Sequence, residues 1–367
     1  MQDETLTIDL GSHCIRAGFS GSDAPVLNFY SMIGFPKYQT TALNYLSSYS
    51  KLSYIGEEAN KLRGILSLFH PIDNGKIINW DVLALFFEYT FHNLNIPLQD
   101  SNIMLVEPSS NLKSNRNSLT QLCFESFNSA SLGFGNAQVM AMYSAGRTSG
   151  LIADCGDSSC RVLPIHEGYV ISHASGKLNV GGKSIDKYLG KLLEYKGINF
   201  TSSSEMEILR EMKESIVTCS KGEEYLVQQY ELPDGTLIET SRERYECVEC
   251  LFNPNLVGIS SDFGIAELIY NSICKCPIDT KLDLYSNIIL SGGTSLIQDF
   301  NVKLKQELDQ LNQRHSFRII SPPERNYSSW IGASIVSSMG HMRPYRVHKE
   351  QYNEYGCSIM DRIFPSH

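Results

Sequence analysis

The most constraining feature of this chain is a short pattern that occurs twice. TIDLGSHCIRAGF has an apolar run, then Asp9-x-Gly11-Ser12, then a second apolar run. LIADCGDSSCRVLP repeats the order with Asp154-x-Gly156-Asp157. Each copy reads as a strand, a tight glycine turn and a returning strand. A lone D-x-G is a plain turn signal. One copy in each half predicts a duplicated domain, with a hairpin from each lobe facing a shared cleft.

The surrounding sequence alternates strand and helix patterns. Short apolar runs at Leu6–Ile8, Ile103–Val106, Leu151–Ala153, Ile288–Leu290 and Phe317–Ile320 have the length of buried strands. Val82, Leu85, Phe86 and Tyr89 share one helical face, as do Leu304, Leu308 and Leu311. Alternation of this kind gives an α/β fold with ligands at the carboxyl ends of the strands. With 367 residues the chain has enough length for two lobes. No long linker or low-complexity tract separates them, and the polar stretch from Gln39 to Lys51 reads as an exposed loop.

Composition excludes several classes. A formal net charge of −9 is the wrong electrostatic footprint for a general nucleic-acid binder. No apolar run has the length of a membrane span, and the N-terminal MQDETLTIDLG lacks the basic region of a signal peptide. The ten cysteines then read as reduced thiols of a cytosolic or nuclear protein. Cys247 and Cys250, with Cys274 and Cys276 following, could in principle hold zinc. The C-x-C spacing of the second pair and the helical look of the first favour ordinary thiols.

The two turns suit a nucleoside triphosphate, which needs close backbone approach at its phosphates and carboxylates for hydrated metal. Gly11, Ser12 and Arg16 with Asp9, and Gly156 and Asp157 with Asp154, supply both. A third element, Ile288-Ile289-Leu290-Ser291-Gly292-Gly293-Thr294, runs a strand into paired glycines, where a flat ligand or phosphate can approach.

Segments in order along nearly the whole chain resemble the actins and actin-related proteins. They are IDLGSHCIRAGFSGSDAP, YIGEEANKLRGILSL, PIDNGKIINWD, MLVEPSSNLKSNRNSLTQLCFESFN, YSAGRTSGLIADCGD, PIHEGY, YELPDG, LFNPNLVG, DLYSNIILSGGTSL, IISPPERNYSSWIGASI and KEQYNEYG. The resemblance implies the actin-like ATPase fold shared with sugar kinases and Hsp70-type ATPases. Its two ribonuclease-H-like lobes form four subdomains around a central cleft for ATP or ADP with Mg²⁺ or Ca²⁺. Residues 1–30, 70–144 and 328–367 would form the first subdomain and 31–69 the second. Residues 145–180 and 260–327 would form the third and 181–259 the fourth.

By the same resemblance, Asp9 and Asp154 serve the metal, and Gly11, Ser12, Arg16, Gly156 and Asp157 serve the phosphates. Gly182, Arg210, Lys213, Glu214, Gly292, Gly293 and Thr294 serve the adenine and ribose. Departures cluster in this set. Arg16 replaces a lysine, His13 and Ser158 replace glycines, and Leu10 replaces a common asparagine. Ile297 replaces an aromatic, and Asn326 replaces a lysine. A Cβ at His13 or Ser158 is expected to crowd a backbone that touches phosphate.

Two departures bear on hydrolysis. The glutamine and histidine that aim water in actins correspond to Ala137 and Arg161. The register is pinned by Phe124–Asn128 on one side and by Tyr143, Gly146 and Arg147 on the other. Gln138 lies one residue away, which on a helix turns a side chain by roughly 100°, out of the expected position. Arg161 is permanently charged and cannot accept a proton from water, but could hold the terminal phosphate as a fixed cation.

The surfaces actins use to polymerise also depart. The Gln39–Lys51 loop lacks the family's glycine- and methionine-rich sequence, the segment Gly258–Gly264 is one residue longer, and the region Ser220–Tyr230 is shortened. Tyr143, Gly146, Thr148, Ile335 and Val336 keep the apolar groove into which partners of the family insert a helix. These features point to a nucleotide-binding actin-related subunit of a larger cytoskeletal or multi-protein assembly, with slow or absent ATP hydrolysis. Actin itself is among the candidate partners, and neither nucleic acid nor membrane is expected. The location would be cytoplasmic and cytoskeletal, or nuclear. The alternative is a conventional ATPase that forms its own filaments.

Overall fold

The structure, a computed structural model, describes residues 4–37, 53–97, 99–109, 111–220, 227–261, 263–339 and 346–364. The chain divides into two compact units, Met1–Ala137 with Ala333–His367, and Gln138–Gly332. The Gln39–Lys51 loop, Asp262 and residues 221–226 lie outside the described residues.

Each unit is built on a six-stranded sheet. In the first, Thr5–Leu10 pairs antiparallel with Cys14–Phe19, which pairs with Leu27–Tyr30. On its other side Thr5–Leu10 runs parallel to Asn102–Glu107, which runs parallel to Ser131–Asn136. In the second, Gly150–Cys155 pairs antiparallel with Cys160–His166, which pairs with Tyr169–Val170 and Gly176–Leu178. Gly150–Cys155 then runs parallel to Ile288–Ser291 and that strand to Ile319–Ile320. Both sheets thus follow the order third, second, first, fourth, fifth among their main strands. The duplication legible in the two D-x-G turns extends through the five main strands of each sheet, while the sixth strands differ, Val347–His348 pairing with Ser131–Asn136 and Gly176–Leu178 with Cys160–His166.

Parallel neighbours require crossovers, and helices supply them. Trp80–Asn93 is capped by the Asn79 side chain, which accepts from the Val82 N–H at 3.0 Å. It buries Val82, Leu83, Phe86, Phe87, Thr90 and Phe91. Leu85 and Tyr89, expected on the buried face, are only half-buried, because the stripe is wider and rotated toward Leu83, Phe87 and Phe91. In the second unit, Phe300–Leu311 buries Leu304 and Leu308 while Leu311 is 39% exposed at the helix end. The run Phe317–Ile320 forms strand only over Ile319–Ile320, and Phe317 enters the core from the preceding loop.

The core of the second unit takes Leu151, Ala153, Cys155, Cys160 and Val162 from one face of its hairpin. These pack with Leu189, Leu193 and Leu209 of its helices. Each such large side chain contributes about 1.5–3 kcal/mol on burial. Cys247 and Cys250 lie in this core on a helical turn, the Cys247 thiol donating to the Arg244 carbonyl at 3.6 Å. Burial pushes the Cys250 thiol up to about 12. Among the described residues no cluster of three or more His, Cys, Asp or Glu is placed to hold a metal ion. No described helix is long and apolar enough to cross a membrane.

Candidate functional site

In the first unit, the turn after Thr5–Leu10 requires Gly11, because a Cβ there would lie 2.4 Å from the Cys14 carbonyl oxygen. Asp9 and Arg16 are direct cross-strand partners, with Nη1 of Arg16 3.4 Å from Oδ2 of Asp9. Ser12 and His13 complete the turn. The His13 ring lies against Tyr30, centroids 5.2 Å apart, and its carbonyl accepts from the Ser31 N–H at 2.7 Å. Neither His13 nor Ser158 is among the non-glycine residues with positive φ. Both turns therefore take a side chain at these places without the left-handed backbone that favours glycine.

The second unit brings three glycine elements together. The Gly156 N–H donates to the Ser159 carbonyl at 3.1 Å and closes the turn. The Gly156 carbonyl accepts from the Gly182 N–H at 3.1 Å and from Thr294 Oγ1 at 2.8 Å. The Asp157 carbonyl accepts from the Lys183 N–H at 2.8 Å. Gly292, at φ +86°, approaches so closely that a Cβ would meet the Cys155 carbonyl oxygen at 2.3 Å. At Gly293 a Cβ would enter open space. The Gly292 N–H donates to the Arg325 carbonyl at 2.8 Å, which ties the turn bearing half-buried Asn326 to this loop. Ser158 turns its hydroxyl toward Oδ2 of Asp157, 3.5 Å away.

Beside these loops lies a buried charge network. Lys213 is ion-paired with Asp186 at 2.9 Å and reaches the Gly182 carbonyl at 3.5 Å. Arg210 contacts Glu207 at 3.2 Å, Asp186 at 3.4 Å and Asp157 at 3.7 Å. Burial opposes the charge on Arg210, but Asp157, Glu207 and Asp186 hold its guanidinium above the ordinary value. Burial pushes the carboxyls of Asp186 and Glu214 up, against the pull of Lys213 and Arg210. Sequence reasoning found Arg210, Lys213 and Glu214 but missed Asp186 and Glu207. The signal for Asp186 was an acid set directly after Ile185 on the apolar face continued by Leu189 and Leu193.

Asp154 is where the structure departs most from expectation. The helix Ala137–Ser144 starts with Ala137, which has no polar side-chain atom to offer. Gln138 is buried, and its amide donates to Oδ2 of Asp154 at 2.6 Å. The one-residue offset does not turn it away. A glutamine has enough rotatable bonds to reach back from the first turn of a helix. Arg161 is the direct cross-strand partner of Asp154. It is 9% exposed, and its Nε and Nη2 have no hydrogen-bond partner among the described residues. Burial pulls its guanidinium below the ordinary value, opposed by Asp154.

The remaining expected positions divide between the units. Tyr143, Gly146 and Thr148 belong to the second, with Gly146 and Thr148 exposed. Ile335 and Val336 belong to the first, 37% and 6% exposed.

The second unit has two features that would suit a bound nucleotide. The open space at Gly293 is a place where a flat group can approach backbone, and the partnerless nitrogens of Arg161 call for an anion. A protein cage of carboxylates is not required for magnesium, which binds through one or two carboxylates plus phosphate oxygens. The family model for actin matches residues 2–365. Matched over nearly its full length, and built on two sheets of the same order, the chain belongs to the actin family.

Proposed function

We propose that this chain is a nucleotide-binding actin-related protein, a structural subunit of a larger cytoskeletal or multi-protein assembly, in which bound ATP turns over slowly or not at all. The observation that carries this reading is the contrast within the second unit. Asp157, Asp186, Glu207, Arg210 and Lys213 form a linked, largely buried ion-pair network, whereas Ala137 and Arg161, at the positions that the family resemblance makes water-aiming, offer no acceptor for a proton.

In this reading Gly292, Gly293 and Thr294, with Asn326 nearby, take the adenine side. Gly182, Arg210, Lys213 and Glu214 take the ribose side. The turn Gly156–Ser158 takes the phosphates, and Asp154 holds a hydrated Mg²⁺ or Ca²⁺. In the first unit Asp9, Gly11, Ser12, His13 and Arg16 offer a matching turn. The nucleotide supplies a polyanion that neutralises Arg161 and adds contacts made only when folded, so it stabilises the protein as any native-state ligand does. The lost water-aiming group is worth a factor of ~10²–10⁴ in rate where general catalysis operates.

A second reading, a self-polymerising ATPase, is favoured by one observation, the hydrogen bond from Gln138 to Asp154. Sedimentation in magnesium and potassium separates the two. The subunit reading expects the protein to stay in the supernatant at low micromolar concentration and to copurify from its own cells with other proteins. A filament pellet from the purified chain would replace it with the second reading.

A further inference from the structure

Arg16 and Arg161 occupy one place in two copies of the same hairpin. Each is the direct cross-strand partner of its aspartate, Asp9 or Asp154. Partners directly opposite on adjacent strands project from the same face of the sheet. In the first copy the pair closes, Arg16 to Asp9 at 3.4 Å. In the second, Gln138 holds Oδ2 of Asp154 at 2.6 Å, and two buried nitrogens of Arg161 have no hydrogen-bond partner among the described residues.

The face matters. Ala153, Cys155, Cys160 and Val162 fill the unit's main core, so the alternating residues Asp154 and Arg161 project from the opposite face. On the far side of Arg161 its cross-strand partner is Lys177, a second cation on that face. Position along the hairpin matters as well. The turn Gly156–Ser158 is joined to the ribose-side network through Asp157 and Arg210 and through Gly182 and Lys213. Arg161 lies back from the turn, beside Asp154. A phosphate chain that starts at the network and crosses the turn reaches Arg161 last.

Given the nucleotide reading above, on which this rests, we infer that Arg161 is the ligand of the terminal phosphate of a nucleoside triphosphate and makes the site select triphosphate over diphosphate. The planar fork of a guanidinium matches phosphate oxygens, and a fixed buried cation meets the anion without first reorganising. Gln138 is the positioning residue: it orients the Asp154 carboxylate, which stays an electrostatic neighbour of Arg161 without closing on it.

Titration calorimetry of the full-length protein, freed of nucleotide, with ATP and with ADP in magnesium tests this. Wild type should bind ATP ~10- to 100-fold tighter than ADP, the range for hydrogen bonds to a charged group. Arg161→Met should remove most of that ratio by weakening ATP alone, and Arg161→Lys should keep part of it. An unchanged ratio, or equal weakening of both nucleotides, overturns the inference and leaves Arg161 a structural residue. Should Arg161→Met fail to fold, wild type with ADP is titrated with inorganic phosphate. Phosphate that tightens ADP supports the inference, and no effect at millimolar phosphate overturns it. Folded wild type that binds neither nucleotide overturns the nucleotide reading, and this inference with it.

Discussion

The side-chain amide of Gln138 donates a 2.6 Å hydrogen bond to Asp154, on the strand directly opposite Arg161. One oxygen of Asp154 holds this amide, and Arg161 does not close on the carboxylate as Arg16 closes on Asp9. Removing the amide should let Arg161 swing onto Asp154. Gln138→Leu is therefore expected to lower the ATP-over-ADP affinity ratio by about tenfold, the worth of roughly one hydrogen bond to a charged group. Paired titrations of wild type and variant check it, and an unaltered ratio would show that Gln138 does not govern Arg161.

Hydrolysis is expected to respond to the neighbouring residue. Ala137→Gln restores an amide at the family's water-aiming position and should raise single-turnover conversion of bound ATP. Water orientation and general catalysis together are worth ~10²–10⁴, so even partial restoration is measurable. Where Ala137→Gln alone gives no gain, Arg161→His in the same background should. If neither raises the rate, the assignment of these two positions is wrong.

Asp186 is expected to hold together the ion-pair network around Arg210 and Lys213. It lies between Lys213 at 2.9 Å and Arg210 at 3.4 Å, with its own side chain 2% exposed. Asp186→Ala would leave buried cations uncompensated, a change that typically costs ~3–5 kcal/mol. Urea unfolding should show this as a lower midpoint with an unchanged slope. A loss near zero would mean that water or Glu207 takes over the role.

A smaller effect with a defined pH sign is expected at the start of the helix Ser203–Ile216. The Ser202 hydroxyl accepts from the Glu205 N–H at 3.2 Å, and Glu205 accepts from the Ser202 N–H at 2.8 Å. The backbone N–H groups of Ser202 and Thr201 hold the Glu205 carboxyl below its ordinary value of 4.5. A depressed acid stabilises the fold above its unfolded value and loses that contribution as pH falls through the folded one. Ser202→Ala should cost about 1 kcal/mol at neutral pH. The difference between wild type and Glu205→Gln should shrink as pH is lowered past 4.5. Thermal melts across that range would contradict the account if the difference grew.

What could be read in the sequence was what is local. Leu6–Ile8 and Leu151–Ala153 announce strands because a buried strand is a short apolar run, and Gly11 and Gly156 announce turns. Their repetition exposed the duplicated sheets. Phe317 misled as a strand residue because burial alone does not distinguish a strand from a loop that enters the core. Arg210 and Lys213 were legible by resemblance, but Asp186, which binds both, was not, since its role arises from two helices meeting. The same holds for Gln138. Register counting placed it out of reach, and only the helix start at Ala137 and the length of its side chain bring it to Asp154.

The most direct measurement is the identity and amount of nucleotide released by acid from freshly purified, folded protein. The account predicts close to one adenine nucleotide per chain, mainly ATP, still triphosphate after hours with magnesium. Protein that releases no nucleotide, or a bound pool converted to ADP as fast as in a polymerising actin, would contradict it.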